Sequence, residues 1–340
     1  MMKVAFIGGG AWGLALARLL AVNSHEVLVW EHNPQWLKSL IETRSNPVLL
    51  PDVIMPENVS LTGYMPDIAS FSPDVIVLAT PTQFLRSTLR SIDAQTASAI
   101  WQTPKLKAIV NVAKGMEEGS LKRIDQILMA ELPESAHSKI CALSGPSHAE
   151  EVSRQIPTTV VVAGSDPDIL LLLQEMISND WFRVYRTDDL IGVEIGGSIK
   201  NIISIAAGIV AGLGFGDNTM GALLTRGIVE IIRLGTAMGA QADTFMGLSG
   251  IGDLITTAIS PHSRNRYVGY HIGKGQKLSE ILAGMDKVAE GVATTRSIHE
   301  IAAVYKVEMP ITNEVYKVLF EDKSPEKAIR DLMTRELKQE

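Results

Sequence analysis

The first half of the chain alternates short apolar runs with longer segments of helical character. Runs such as Val75–Ala79 are almost continuously apolar, which is typical of parallel strands buried on both faces of a sheet. The pattern predicts strands at Lys3–Ile7, Glu26–Trp30, Asp74–Ala79, Lys107–Ala113, Lys139–Leu143, Thr158–Ala163 and Phe182–Tyr185. Strands that alternate with helices predict an α/β fold with a doubly wound, mostly parallel sheet.

After about Arg186 the pattern changes to a helical period with no convincing strand. Helices are predicted at Ile191–Leu213, Met220–Met238, Leu278–Met285, Thr295–Tyr305, Ile311–Phe320 and Pro325–Leu332. We therefore expect two domains, with residues 1–188 forming the sheet domain and residues 189–340 forming an all-helical domain. Within the helical part, the apolar stretch Ile202–Phe215 is shorter than the ~20 residues of a membrane span, and it predicts a buried helix.

A glycine-rich turn follows the first predicted strand. Gly8, Gly10 and Gly13 have the spacing G-x-G-x-x-G, and helix-forming residues come next. Gly8 would permit the tight turn, Gly10 would let a pyrophosphate approach the backbone, and Gly13 would let helix and strand pack closely. Glu31 ends the second strand, where such folds place a carboxylate for the ribose hydroxyls. A dinucleotide site is the favoured interpretation; a purely structural strand–helix turn is the alternative.

Composition narrows the class of protein. The chain has 340 residues, enough for two cores, and its 31 Lys+Arg against 38 Asp+Glu give a net charge of −7. That balance argues against a general nucleic-acid surface, which requires basic excess. The single cysteine, Cys141, predicts a reducing compartment, and with no signal peptide expected we predict a cytoplasmic protein without a membrane span. No Cys/His cluster has metal-ligand spacing.

Two lysines are candidates for chemistry. Lys114 follows a buried strand and precedes a glycine, so it would point towards a ligand; a lysine that simply reaches solvent is the alternative. Lys200 lies on a predicted helix face of small residues and has no carboxylate three or four positions away. Desolvation there would lower its pKa and suit it to proton transfer, and Asn201 beside it could orient a ligand.

Two polar segments follow in the helical half. Asp253 is expected at a helix start, where it could be no more than an N-cap. Ser263, Arg264, Asn265 and Arg266 form a compact cluster of hydrogen-bond donors. Such a cluster could hold a phosphate, although taken alone it is more typical of a solvated helix start.

Taken together, these motifs resemble the bacterial family of NAD(P)-dependent glycerol-3-phosphate dehydrogenases. The matching segments occur in order from about Val4 to Leu319: the glycine turn 8–13, residues 113–115, 144–147, 196–201, 252–254 and 263–266. The resemblance implies a Rossmann domain followed by a helical domain of the 6-phosphogluconate-dehydrogenase type. It also implies reversible reduction of dihydroxyacetone phosphate to sn-glycerol 3-phosphate, which feeds phospholipid synthesis.

The resemblance further implies residue roles, with Lys200 as the proton donor and acceptor. The positions that match substrate-binding ones are Lys114, Gly145, Ser147, Asp253, Ser263, Arg264 and Asn265. The positions that match cofactor-contacting ones are Ala11, Trp12, His32, Lys114, Ala149, Arg264, Val288 and Glu290, beside the glycines Gly8, Gly10 and Gly13. The family often forms homodimers, and no metal is implied.

The choice of cofactor stays open between NAD and NADP. Glu31 would repel the 2′-phosphate of NADP, and no arginine nearby offsets this charge, which favours NAD. Two other functions remain as alternatives: a related dehydrogenase of a hydroxy or keto acid, and a regulatory protein that senses NADH without turnover. The lysines and Asp253 argue against a sensor, which needs no proton donor.

Overall fold

The computed structural model describes residues 1–337 and 339, and the chain forms two compact units. The first comprises Met1–Lys114 and Arg123–Glu194, and the second comprises Gly115–Lys122 and the residues from Ile195 onward. The division of the domains between residues 188 and 189 stays a prediction. In the structure the short segment Gly115–Lys122 also belongs to the second, helical unit.

The first unit is built on one twisted sheet, as the apolar runs predicted. Its strands are β1 Lys3–Ile7, β2 Glu26–Trp30, β3 Val59–Thr62, β4 Val75–Leu78, β5 Ala108–Asn111, β6 Ile140–Ser144, β7 Thr158–Gly164 and β8 Phe182–Thr187. They are ordered β3-β2-β1-β4-β5-β6-β7-β8, and every neighbouring pair is parallel except β6 and β7. The order reverses between β1 and β4, the switch point where open α/β sheets bind ligands.

Helices cover both faces of this sheet. They are α1 Ala11–Val22, α2 Pro34–Thr43, α3 Pro66–Phe71, α4 Thr82–Arg90, α5 Ala94–Trp101, α6 Ile124–Glu131, α7 Ala149–Val152 and α8 Pro167–Ile177. One apolar core lies against α1 and α8, and a second lies against α3 to α6 on the opposite face. This confirms the doubly wound architecture.

The second unit contains helices and loops, and no strand occurs among its described residues. Its helices are α9 Leu190–Gly212, which begins in the first unit, α10 Asp217–Ala237, α11 Asp253–Ile259, α12 Arg264–Gly273, α13 Leu278–Ala283, α14 Glu290–Tyr305, α15 Pro310–Phe320 and α16 Pro325–Met333. The helices predicted from the sequence are all present, and α11 and α12 add two short ones. A π-helical turn, Leu248–Gly252, leads directly into α11.

The core helix α9 has the length that the sequence predicted and begins one residue earlier. Among the described residues it is the one helix long and apolar enough to cross a membrane by length and composition, with 23 residues. The apolar stretch Ile202–Phe215 overlaps only the second half of α9, and the residues before it bring the helix to this length. The expectation of a buried helix is confirmed, since 94% of its most apolar window is buried.

Helices α9 and α12 approach so closely that their contact is made of backbone. A Cβ atom at Gly269 would overlap the carbonyl oxygen of Ile205, and one at Gly273 would lie 2.7 Å from that of Ile209. From the other side, a Cβ at Gly208 would overlap the carbonyl oxygen of Arg266. The contacts advance by four residues on both helices, which is the spacing of one ridge along a helix surface.

A buried carboxylate fixes the start of α15. Glu230 on α10 accepts hydrogen bonds from the backbone N–H of Ile311 at 2.6 Å and of Thr312 at 3.2 Å, and one from the Thr312 hydroxyl at 3.1 Å. These groups would otherwise be unsatisfied at a helix N-terminus. Burial raises the pKa of the Glu230 carboxyl to about 7, against the opposing effect of these hydrogen bonds and of Arg233.

We predict that Gly269→Ala lowers the free energy of unfolding by about 2–3 kcal/mol, the scale of overpacking a tight contact. The matched control is Gly221→Ala in α10, where an added Cβ meets nothing within 4 Å. That change should stabilise the protein by ~0.5–1 kcal/mol through helix propensity. Thermal and denaturant unfolding measure both, and equal stabilities for the two variants would contradict the close contact.

We also predict that Glu230 makes stability fall as pH rises. Its pKa is about 7 when folded and ordinary when unfolded, so the folded state holds a proton that the unfolded state releases. This proton contributes on the order of 3 kcal/mol to the free energy of unfolding below pH ~4.5. The contribution falls as the pH rises from there and is lost above pH ~7. Glu230→Gln should flatten this slope relative to the wild type, and identical pH profiles of unfolding would contradict the assignment.

Candidate active site

The glycine turn has the geometry that the sequence predicted. Gly8 follows β1 with φ +118°, and a Cβ there would lie 2.8 Å from the backbone carbon of Ala79 at the end of β4. A Cβ at Gly13 would overlap the carbonyl oxygen of Gly8. Both positions therefore require glycine for the fold itself, because a side chain at Gly8 would collide with the backbone that follows β4 and one at Gly13 would push α1 away from the turn.

Gly10 differs from Gly8 and Gly13, the other two glycines of the motif. A Cβ at this position would meet nothing within 4 Å, and Gly10 is the N-cap of α1 without any side-chain capping bond. The space over the first turn of α1 is therefore open to a ligand, and the helix N-terminus attracts anions. Ala11 and Trp12 form that first turn, and the buried Nε1 of Trp12 has no hydrogen-bond partner. This cradle fits a dinucleotide pyrophosphate.

Glu31 lies against the same turn. Its carboxylate accepts a hydrogen bond from the Asn33 backbone N–H at 2.6 Å, and an added Cβ at Gly9 would touch its side chain. Burial raises the pKa of the Glu31 carboxyl, while the backbone N–H groups of Asn33 and Gly9 lower it. The adjacent His32 is exposed. A carboxylate at the end of β2 and beside the glycine turn is the arrangement that accepts ribose hydroxyls.

Three of the predicted substrate residues meet at one carbonyl in the first unit. The Gly145 carbonyl accepts a hydrogen bond from Lys114 Nζ at 3.0 Å and one from the Ser147 hydroxyl at 3.0 Å. Gly145 has φ +130°, which favours glycine. Lys114 comes after β5 and Gly145 directly after β6, so neighbouring parallel strands place them at the same sheet edge. Ala149 begins α7 a few residues further on.

Lys200 is not the lone lysine that the sequence suggested. Its ammonium donates to Asp253 Oδ1 at 2.6 Å and to the Thr257 hydroxyl at 2.6 Å, and all three side chains are buried. Thr257 in turn donates to Asp253 at 3.2 Å. The prediction failed because the partner lies 53 positions along the chain, on α11, outside the helical neighbours that local spacing considers.

Asp253 likewise has a different role from an N-cap. It is the first residue of α11, whose N-cap is Gly252, and its carboxylate is directed to Lys200 and Thr257. Sequence reasoning missed Thr257 altogether. Its spacing of four from Asp253 was the available signal, since residues four apart share a helix face.

The polar cluster at α12 divides into separate roles. Ser263 is the N-cap of α12 and accepts from the Arg266 backbone N–H at 3.2 Å, so the helix-start interpretation is correct for it. Arg264 is exposed in the first turn. Asn265 is buried and bonds to Asn201 and to the backbone of Gly291.

Two predicted cofactor positions lie just before and at the start of α14. Val288 is exposed, and Glu290 is the first residue of α14. In the second unit Lys200, Asp253, Asn201 and Asn265 thus lie close together, linked by side-chain contacts. No cluster of three or more His, Cys, Asp or Glu that could hold a metal occurs among the residues that the structure describes.

Comparison with known proteins identifies relatives over the whole length. A family model of the NAD-dependent glycerol-3-phosphate dehydrogenase N-terminus matches residues 3–170, and one of its C-terminus matches residues 189–330. The glycerol-3-phosphate dehydrogenase [NAD(P)+] of Pelodictyon phaeoclathratiforme is 46% identical, covering 100% of this chain and 99% of the relative. The enzyme of the same name from Staphylococcus haemolyticus is 43% identical over 100% of both chains.

Solved structures agree with this comparison. The crystal structure of glycerol-3-phosphate dehydrogenase from Coxiella burnetii superposes with a TM-score of 0.91 at 31% identity, covering 98% of this chain and 99% of that one. The D-mandelate dehydrogenase complex with NADH and anilino(oxo)acetate has a TM-score of 0.64 at 12% identity, and therefore shares the fold.

Proposed function

The chain belongs to the family of NAD-dependent glycerol-3-phosphate dehydrogenases, and we propose that its Lys200 exchanges the proton at the substrate's C2 oxygen. The reaction of this family is the NAD(P)H-dependent reduction of dihydroxyacetone phosphate to glycerol 3-phosphate. The observation that carries the proposal is the buried ammonium of Lys200, held by Asp253 and Thr257.

Reduction of a ketone requires a proton for the oxygen on which negative charge develops. Bound NAD(P)H supplies the hydride, and the protein must supply the proton and a fixed orientation. Lys200 suits this task because Asp253 stabilises the ammonium form inside a buried site, where an unpaired lysine would tend to lose its proton. In the reverse direction the neutral amine accepts the proton of the alcohol.

The phosphate of the substrate must be bound by cationic side chains and by hydrogen-bond donors. We propose Arg264 as the main one, because its guanidinium is exposed in the first turn of α12 and presents a fork of N–H groups. The positive end of that helix adds to the attraction. Ser263 contributes by fixing the start of α12. In the first unit, Lys114 and Ser147 at the Gly145 carbonyl are further substrate contacts in this proposal.

The cofactor is proposed to bind over Gly10, Ala11 and Trp12, with its adenosine ribose at Glu31. The family resemblance supports the remaining proposed cofactor contacts, which are His32, Ala149, Lys114, Arg264, Val288 and Glu290. A buried carboxylate at the ribose accepts two hydroxyl groups and disfavours a 2′-phosphate, so we propose NAD as the better cofactor and NADP as the weaker one.

The wider setting is also a proposal. We propose a homodimer that acts in the cytoplasm and supplies glycerol 3-phosphate for phospholipid synthesis. The chain has a single cysteine, the buried Cys141, and such sparse cysteine usage without an internal disulfide supports a reducing compartment. Light scattering measures the oligomeric state directly.

A decisive assay follows the loss of NADH absorbance with dihydroxyacetone phosphate as the substrate. Rapid turnover with this substrate, and slow turnover with hydroxy and keto acids, is expected. Preference for a keto acid would favour the related dehydrogenases. Tight binding of NADH without turnover of any of them would favour a sensor.

We predict that Lys200→Met lowers kcat by at least ~10²-fold and leaves NADH affinity unchanged, because only proton transfer is removed. The change removes the ammonium that neutralises the buried Asp253 carboxylate, which destabilises the fold. The double variant Lys200→Met/Asp253→Asn removes both charges and should recover thermal stability without recovering activity. Turnover close to that of the wild type in either folded variant would remove Lys200 from the mechanism.

We predict that Glu31→Gln raises the ratio of kcat/KM for NADPH over NADH several-fold. Glutamine keeps one oxygen for the Asn33 N–H, loses the charge and replaces the second carboxylate oxygen by an NH2 group, whereas arginine would be too large beside Gly9. The KM for dihydroxyacetone phosphate should not change. His32→Ala is the control for an imidazole contact with the 2′-phosphate, and a wild-type preference for NADPH would contradict the argument.

A further inference from the structure

A close backbone contact lies one turn before Lys200, where α9 meets the π-helical turn Leu248–Gly252. A Cβ atom at Gly196 in α9 would lie 2.6 Å from the carbonyl oxygen of Ser249 and 3.3 Å from its carbonyl carbon. Both residues are buried, and the atoms in the way belong to the backbone. Because backbone cannot swing aside as a flexible side chain can, only glycine lets α9 and the π-helical turn approach to this distance.

The contact and the ion pair of Lys200 follow one another along the same two elements. Lys200 comes four residues after Gly196, which is about one turn of α9, and Asp253 comes four residues after Ser249. Lys200 Nζ lies 2.6 Å from Asp253 Oδ1, and both side chains are buried. On both elements, therefore, the backbone contact lies directly before the charged groups.

The π-helical turn is also packed from its other side. A Cβ atom at Gly250 would overlap the carbonyl oxygen of Phe245, so these backbones touch as well. The fully buried ring of Phe245 lies against Gly235 in α10, where an added Cβ would overlap it. The turn thus lies between α9 and Phe245, and an atom inserted on either side must displace it.

The hydrogen bonding of the turn decides which residues of α11 face α9. The Gly252 N–H donates to the Gly247 carbonyl, five residues earlier, at 3.2 Å. A π-helical turn holds an extra residue compared with an α-helical one, and one residue rotates the following helix by about 100°. The turn therefore sets the rotation of α11 that directs Asp253 and Thr257 to Lys200.

We propose that Gly196 is a positioning residue for the proton donor, because its missing side chain lets the π-helical turn hold Asp253 against Lys200. The inference rests on the proposed function of Lys200, and it gives Gly196 a role that acts through Asp253. The attraction between an ammonium and a carboxylate falls as they separate, most strongly in a buried site. A displacement of several tenths of an ångström at the turn thus changes how firmly the ammonium holds its proton.

Gly196→Ala tests the proposal in the full-length protein. The added methyl group should push the turn from α9 and lower kcat for dihydroxyacetone phosphate about tenfold, within the range known for displacements below 1 Å. The alkaline limb of the kcat–pH profile should also move to lower pH by at least ~0.5 unit, because a more distant carboxylate stabilises the ammonium less. The dissociation constant of NADH should not change.

Gly273→Ala is the matched control. A Cβ atom at Gly273 would lie 2.7 Å from the carbonyl oxygen of Ile209, which is also in α9 but nine residues beyond Lys200. This variant meets the same kind of obstacle at a distance from the ion pair. It should lose thermal stability to a similar extent, keep kcat within about twofold of the wild type, and leave the alkaline limb in place.

Phe245→Leu is a second test, which remains available where Gly196→Ala does not fold. It loosens the π-helical turn from the opposite side without adding an atom against α9, and it should move the alkaline limb in the same direction. An unmoved limb in the folded Gly196→Ala variant, or in Phe245→Leu where only that variant folds, would overturn the proposal. An equal movement in Gly273→Ala would also overturn it, because general loosening would then explain the effect.

The wild type is assayed first with NADH and dihydroxyacetone phosphate, and thermal unfolding of each variant is measured beside its activity. An inactive wild type would contradict the proposed function. An active wild type whose variants lose activity with the alkaline limb in place would contradict only the role of Gly196.

Discussion

The backbone contact between α9 and α12 is the constraint on which the helical unit depends. At Gly269 and Gly273 on one helix and Gly208 on the other no side chain lies between the helices, so carbonyl oxygens and Cα atoms meet directly. A pair of ordinary helices packs at 8–10 Å with side chains between them. Here the absence of side chains fixes the register, because a shift of one residue would place a Cβ against a carbonyl.

That register fixes the positions of the residues in the proposed site. Asn201 faces Asn265 because both precede the glycine contacts by one helical turn. Lys200, one residue before Asn201, then meets Asp253 and Thr257 on α11. Polar groups this deeply buried are stable only with complete hydrogen bonding. The geometry of the site is therefore inherited from the packing of its helices rather than from flexible loops.

Local patterns predicted the features that depend on neighbours in the chain. The tight turn at Gly8, the close packing at Gly13 and the Ser263 cap all follow from residues within a few positions. The edge strand β3 was missed, because its four residues alternate and carry two polar side chains. A strand at a sheet edge needs less continuous burial, so it does not form an apolar run.

Features that depend on distant partners could not be predicted in this way. The three glycines of the α9–α12 contact indicate smooth helix faces in the sequence, but they do not indicate which faces meet. Lys200 forms its ion pair with a residue 53 positions away in the chain. Glu230 on α10 caps the start of α15, which lies 81 positions further along. Family resemblance named several of the same residues without giving the physical reason for their arrangement, which only the contacts supply.

The pairing of Lys200 with Asp253 changes the argument for its chemistry. A lysine alone among small residues would be desolvated and would tend towards the neutral amine, which is a base. An adjacent carboxylate at 2.6 Å favours the ammonium, which is an acid. Reduction of a ketone needs the acid and oxidation of an alcohol needs the base, so a reversible enzyme must keep both forms accessible. Burial and the carboxylate act in opposite directions on the Lys200 ammonium, and this opposition is the physical basis of the proposal that one lysine serves both directions of the reaction.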